Sequence, residues 1–190
     1  MRLSLRGARP GRRVAIVLGM LLMATMMAAP GAAQASTNEP VPVPVAAAAD
    51  TLFGANAEGI LVNKFSGKCL EILNYSAANG APAGQWGCYG GGNQHWVIGE
   101  WSDGTLALIN GNSGKCLEIL NYSAADGAPA GQWDCYGGNN QRWLLGQWDD
   151  GYFALINVHS GKCLEILNYS TADGAPVGQW GCYGGDNQKW

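Results

Sequence analysis

Three features of this sequence predict an all-β fold in which three like units close into a ring. They are a 47-residue repeat, turn dipeptides between short apolar segments, and the absence of any apolar stripe at helical spacing. Cys69, Cys116 and Cys163 mark the period, and Cys88, Cys135 and Cys182 mark it again. From Ser66 to Trp96 the unit reads SGKCLEILNYSAANGAPAGQWGCYGGGNQHW, and only six of its 31 positions vary in the copies at Ser113–Trp143 and Ser160–Trp190. Asn79-Gly80, Asp126-Gly127 and Asp173-Gly174 are hairpin-type turn dipeptides. Gly, Pro and Asn interrupt every window in which a helix might otherwise form. An open solenoid needs polar end caps, whereas these repeats, at about 59–105, 106–152 and 153–190, fill nearly all of the chain from Asp50 onward. Closure on a pseudo-threefold axis is therefore expected, and three β units closed in this way form a β-trefoil.

The elements follow in chain order. Five Arg lie in the first 13 positions, an apolar run extends from Val14 to Ala29, and Ala33-Gln34-Ala35 is a small-x-small cleavage pattern. Residues 1–35 read as a secretory signal peptide, since the unbroken apolar run is shorter than the ~20 residues of a spanning helix. Residues 36–50 (STNEPVPVPVAAAAD) read as an extended Pro/Ala-rich linker that could be deleted as far as Ala49 without harm. The globular part is expected over 51–190. Thr51 to Gly67 (TLFGANAEGILVNKFSG) has the same apolar, turn, apolar, Ser-Gly order as the segments that follow Trp96 and Trp143, whereas nothing follows Trp190. The N-terminal segment is thus expected to complete the third unit. Beyond the basic leader the chain carries six Lys and Arg against 14 Asp and Glu, a net −8. Such an acidic surface disfavours nucleic acid, and no membrane contact is expected of the mature form.

In an exported chain six Cys imply disulfides, and 15 pairings are formally possible. One pair per unit makes Cys69–Cys88, Cys116–Cys135 and Cys163–Cys182 the symmetric solution. No Cys-x-x-Cys cluster suggests a metal. Strand alternation puts Leu70 and Ile72 on the core face and Cys69 and Glu71 on the other. If the two cysteines stand opposite each other on antiparallel strands, Glu71 faces Trp86, as Glu118 faces Trp133 and Glu165 faces Trp180. A carboxylate beside an indole suits a sugar, whose hydroxyls donate to the acid while its C–H face lies on the ring. The same spacing suits a Trp that covers the disulfide beside a merely solvated Glu.

Gly-Lys-Cys-Leu-Glu-Ile, Gln-Trp-Gly-Cys and the Asn-Gln-x-Trp runs ending at Trp96, Trp143 and Trp190 resemble the ricin B-chain type lectin repeat with its Gln-x-Trp signature. The resemblance spans about Thr51 to Trp190. It implies a β-trefoil with a shallow sugar pocket and a disulfide in each unit, and galactose- or xylan-type ligands. The acid is then Glu71, Glu118 and Glu165, and the stacking ring is Trp86, Trp133 and Trp180. Asn93 with Gln94, Asn140 with Gln141, and Asn187 with Gln188 complete or brace the pockets. Tyr89, Tyr136 and Tyr183 stand where a further sugar-contacting ring is found, and the Trp of Gln-x-Trp is core. Two positions depart from the family pattern. Glu replaces the usual Asp, and Gly84, Gly131 and Gly178 stand where Gln is frequent, with Gln shifted next to Trp.

The resulting expectation is a secreted, monomeric, multivalent carbohydrate binder without cofactor or metal. An enzyme is disfavoured, because His95 and His159 occupy unrelated positions and the glutamates lie in separate units, too scattered for a glycosidase pair. The alternative is a trefoil that binds protein through its loops, for example a protease inhibitor. Such loops should diverge between units, and these barely do. Small differences between sites are expected from Gly92, Asn139 and Asp186, which precede the pocket Asn. Asn74, Asn121 and Asn168 each begin a formal N-glycosylation sequon, Asn-Tyr-Ser.

Overall fold

The structure is a computed structural model and describes residues 40–42 and 58–190. The expected signal peptide, most of the linker and Thr51–Ala57 lie outside the described residues. Among the described residues there are twelve strands: β1 Val41–Pro42, β2 Glu58–Gly59, β3 Cys69–Ile72, β4 Ala83–Trp86, β5 Trp96–Glu100, β6 Leu106–Asn110, β7 Cys116–Ile119, β8 Ala130–Trp133, β9 Trp143–Gln147, β10 Phe153–Asn157, β11 Cys163–Ile166 and β12 Val177–Trp180. Helical geometry among the described residues is confined to single 3-10 turns such as Leu73–Tyr75 and Gly92–Gln94. The all-β trefoil read from the sequence is the fold observed.

Each unit holds an antiparallel pair, β3 with β4, β7 with β8, and β11 with β12. Hairpins β5–β6 and β9–β10 carry the chain from one unit to the next. The ring closes where the expected ends meet. Lys64 N–H donates to the Lys189 carbonyl at 2.9 Å, the counterpart of Gly111 to His95 at 2.8 Å and Val158 to Arg142 at 2.9 Å. Trp190 exchanges both backbone bonds with Phe153, at 3.0 and 3.1 Å. The described part of the N-terminal segment, from Glu58 onward, takes after Trp190 the place that β6 and β10 take after Trp96 and Trp143, as expected for the third unit, and Leu61 enters the core as Leu108 and Leu155 do.

Around the threefold axis, Gln85 N–H donates to Ala175 O, Gln132 to Ala81 and Gln179 to Ala128, each at 3.0 Å. The side chains of these glutamines are fully buried and clasp the neighbouring unit. Gln85 Nε2 donates to Ser170 O at 2.8 Å and Ala172 O at 3.1 Å, while its Oε1 accepts from Ser66 Oγ at 2.6 Å. This accounts for one departure from the family pattern. A Cβ on Gly84 would lie 2.7 Å from Leu73 Cδ2 and 3.0 Å from the Ala175 carbonyl oxygen, so the axis contact leaves no room for a side chain there. The glutamine beside it holds units together.

Two of the six varying positions form one compensated exchange. Asp126 and Asp173 each accept a backbone N–H from the next unit, of Gly181 and Gly87, and pair with Lys162 and Lys68 at 2.6 Å. At the remaining junction the equivalent is Asn79, whose side chain bonds Asp134, and that carboxylate pairs with Lys115. Each of the three lysines therefore keeps an acidic partner.

The core repeats with the sequence: Leu70, Ile72, Leu117, Ile119, Leu164 and Ile166 are fully buried, as alternation predicts. Trp96, Trp143 and Trp190 join them, and their Nε1–H groups donate to Leu70, Leu117 and Leu164 carbonyls at 3.0–3.1 Å. All three expected disulfides are present. In the segment read as a free linker, Val41 and Pro42 pair with Gln147 and Gly146 of β9, and Pro40 is buried.

The expected strand register requires correction. Cys69 stands opposite Trp86 rather than Cys88, so Glu71 stands opposite Gly84 and not opposite Trp86. The same shift holds for Glu118 with Gly131 and Glu165 with Gly178. The physical reason is that Cys88 lies beyond the end of β4, and its disulfide is made by chain that has already left the ladder, at a Cα separation of 5.1 Å.

Candidate functional site

Unit two shows how the site is built. β7 ends in Glu118-Ile119, and the chain then turns through Leu120–Tyr122 with Asn121 at φ 59° and Tyr122 at φ 52°. Left-handed backbone is ordinary for Asn, whereas a bulky aromatic adopts it at a cost of roughly 1–3 kcal/mol. Units one and three repeat it at Asn74-Tyr75 and Asn168-Tyr169. The turn swings the tyrosine up as a wall of a cleft of about 400 Å³, lined by Glu118, Asn121, Tyr122, Trp133, Tyr136 and Asn140. Four of these six were anticipated from the sequence, and Asn121 and Tyr122 were not. The sequon reading drew attention to that tripeptide for another reason. Its position, three and four residues beyond the acid, was the available signal.

The acid is not merely solvated. Glu71, Glu118 and Glu165 are each 3% exposed, on the non-core face of their strands. Gln141 Nε2 donates to Glu118 Oε2 at 2.9 Å, and Gln94 and Gln188 do the same for Glu71 and Glu165 at 2.9 Å. Tyr89 and Tyr183 hydroxyls add a bond to that same oxygen at 3.1 Å. Oε1 receives no donor from the described residues in any unit. Desolvation by burial pushes the Glu118 and Glu165 carboxyls up, against the opposing hydrogen bonds from Gln141 and Gln188. Burial likewise pushes the Tyr89 hydroxyl up to about 12.

The glutamine behind each acid is saturated. Gln141 also donates to Asp134 O at 2.9 Å and accepts from the Tyr136 and Gly137 amides at 2.9 and 3.2 Å. Fully buried, with four bonds made, it fixes the carboxylate without reaching the cleft. Gln94 and Gln188 make the corresponding set. Asn140 Nδ2 donates to Ile119 O at 3.1 Å and its Oδ1 accepts from Tyr136 OH at 2.9 Å. Asn93 and Asn187 repeat both bonds. The two tyrosines of a site crowd one glycine: a Cβ on Gly138 would lie 2.4 Å from Tyr122 OH and 2.5 Å from Tyr136 Cε2.

Trp86, Trp133 and Trp180 stay 42–44% exposed. Each sits on the hairpin turn of another unit: a Cβ on Gly80 would lie 3.6 Å from Trp133 Cζ3, and Gly127 and Gly174 stand likewise to Trp180 and Trp86. The site is therefore a seated indole, a rigid carboxylate with one free oxygen, and two tyrosines. It offers an aromatic plate and a charged acceptor, with no paired acid or nucleophile. Among the described residues no group of His, Cys, Asp and Glu could hold a metal ion.

A family model, the ricin-type beta-trefoil lectin domain, matches residues 57–190. No curated protein matches the sequence. Among solved structures, the designed 3-fold symmetric protein ThreeFoil is 44% identical, covering 70% of this chain and 95% of its own, with a TM-score of 0.68. An exo-beta-1,3-galactanase from Clostridium thermocellum is 36% identical at a TM-score of 0.67, over 70% of this chain but 29% of the galactanase. A ricin B-like lectin of Macrolepiota procera, solved in complex with lactose, shares the fold at 20% identity and a TM-score of 0.60, covering 70% and 91% of the two chains. With the 47-residue repeat, the closed ring and this match, the chain belongs to the ricin-type beta-trefoil lectin domain family.

Proposed function

We propose that the mature protein, beginning near Ser36 after export, is an extracellular multivalent carbohydrate binder without catalytic activity. The observation that supports this best is the free Oε1 of a buried, braced glutamate in a cleft walled by an exposed indole, present in three copies. Oε1 accepts a sugar hydroxyl while the apolar face of the ring lies on Trp86, Trp133 or Trp180. Galactose- or xylan-type glycans are the ligands proposed, and the likeness to the galactanase favours galactosyl chains. A shallow cleft binds one sugar weakly. Three tethered sites meet a polysaccharide at effective concentrations on the order of millimolar, and retention then comes from their linkage. A glycan array of residues 36–190, followed by retention on insoluble galactan and xylan, tests the reading. Binding of galactosyl or xylosyl glycans is expected. Binding of no glycan would put the protein-binding alternative in its place.

The raised carboxyls give the site a pH dependence. Glu118 and Glu165 take up a proton above the usual carboxylate range of about 4.3, and a protonated acid loses its charge-assisted bonds to sugar. Retention should weaken as pH falls through a window that lies above that range. The folded state binds these protons more readily than the unfolded chain, so their contribution to stability increases as pH falls through that window. Below about pH 4 the sign reverses. The Asp126 and Asp173 carboxyls, lowered by Lys162 and Lys68, are then protonated and their pairings are lost. Melting temperature and column retention, measured as pH is lowered from 7, should move in opposite directions through that window.

A further inference from the structure

The residues that line the unit-two cleft recur unchanged in units one and three, yet the wall tyrosines are backed by three different residues. Each backing residue comes from the following repeat, at the position one before its Ser-Gly. Behind Tyr122 it is His159, with ring centroids 4.9 Å apart at 77°. Behind Tyr169 it is Phe65, across the closure of the ring, at 5.1 Å and 86°. Behind Tyr75 it is Asn112, which offers no ring and instead donates from Nδ2 to the Tyr75 carbonyl at 3.3 Å. Tyr122 is further held by the backbone N–H of Asn139, which donates to its hydroxyl at 3.0 Å. All three tyrosines remain 45–49% exposed on their left-handed turns. Tyr75 has only the more distant, tilted ring of Tyr89 in its own cleft beside it, with centroids 6.3 Å apart at 41°.

We propose that this backing residue sets the strength of the cleft it adjoins, making the sites of units two and three strong and that of unit one weak. The inference rests on the carbohydrate-binding reading above. An edge-on aromatic partner stabilises one orientation of the wall tyrosine before a ligand arrives, so binding loses less side-chain freedom there. The gain expected from one such contact is about two- to tenfold in affinity. His159, Phe65 and Asn112 act on sugar only through the tyrosine and are positioning residues. The sequence hides this, because the residue that distinguishes a site lies in the next repeat.

Two measurements test it. Single-site proteins are made by changing the other two stacking residues, for example Trp133→Ala with Trp180→Ala to leave unit one, and each is titrated with lactose. The unit-two and unit-three proteins should bind about two- to tenfold more tightly than the unit-one protein. His159→Asn should bring unit two down to the level of unit one, His159→Phe should preserve it, and Asn112→Phe should raise unit one, all with unchanged melting temperature. Equal affinities, or exchanges that transfer nothing, would overturn the proposal. The second measurement needs no ligand: NMR order parameters of the tyrosine rings should be lower for Tyr75 than for Tyr122 and Tyr169, and Asn112→Phe should raise that of Tyr75. Equal order parameters would also overturn it. If the ring order follows expectation but no single-site protein binds lactose, the backing role stands and the galactosyl assignment fails.

Discussion

Replacing Glu71, Glu118 and Glu165 together by Ala is expected to abolish retention on the glycan column, while each single replacement lowers it in part. A hydrogen bond to a charged acceptor contributes about 1.5–3 kcal/mol, a ten- to hundredfold loss per site, and linkage between sites multiplies the deficit. The fold should survive. Each acid sits on the non-core face of its strand, and Gln94 keeps its bond to Gly87 O at 3.0 Å when Glu71 is gone. Tyr89 keeps its bond to Asn93 at 3.0 Å. Removing a desolvated carboxylate also relieves the burial that raises Glu118 and Glu165. Circular dichroism should show a melting transition within a few degrees of the parent. A triple variant retained as strongly as the parent would show that sugar is bound elsewhere.

Deleting the chain through Phe65 should leave no cooperatively folding product, whereas deletion through Ala49 should fold. The longer deletion removes Leu61, whose burial is worth about 2–3 kcal/mol, and takes its carbonyl away from the Leu70 amide. It also removes Asn63, which donates to Asn187 O at 2.9 Å and Lys189 O at 3.2 Å, and the Lys64 bond that closes the ring. Lys64 further bridges Asp150 and Asp186 at 2.9 Å. Against a total stability of about 5–15 kcal/mol, these losses fall on one seam, and an opened array has no cap to cover it. Urea unfolding followed by far-UV circular dichroism distinguishes the outcomes. A sharp transition from the longer deletion would mean that the ring does not depend on its seam.

Repetition alone carried the fold. Three copies at one period, with turn dipeptides in register and one cysteine pair each, left a closed threefold β ring and one set of disulfides as the simplest solution. The separation of Leu70 and Ile72 from Glu71 was legible from strand alternation, whereas the core place of Trp96, Trp143 and Trp190 came only with the resemblance to the lectin repeat. The facing of Glu71 and Trp86 was not legible. The sequence fixes the interval between cysteines but not where a strand ends, and Cys88 bonds from beyond the ladder. Gln85 and Gly84 were equally opaque, since their reason is a neighbouring unit's backbone at the axis. The wall tyrosines stand at positive φ that no local pattern demands of Tyr, and their backing residues arrive from the next repeat. What the sequence determined by itself was everything set by contacts within one unit and by symmetry. What only the tertiary structure decided was the set of contacts between units, where side chains distant in sequence meet and local periodicity holds no record of their distance.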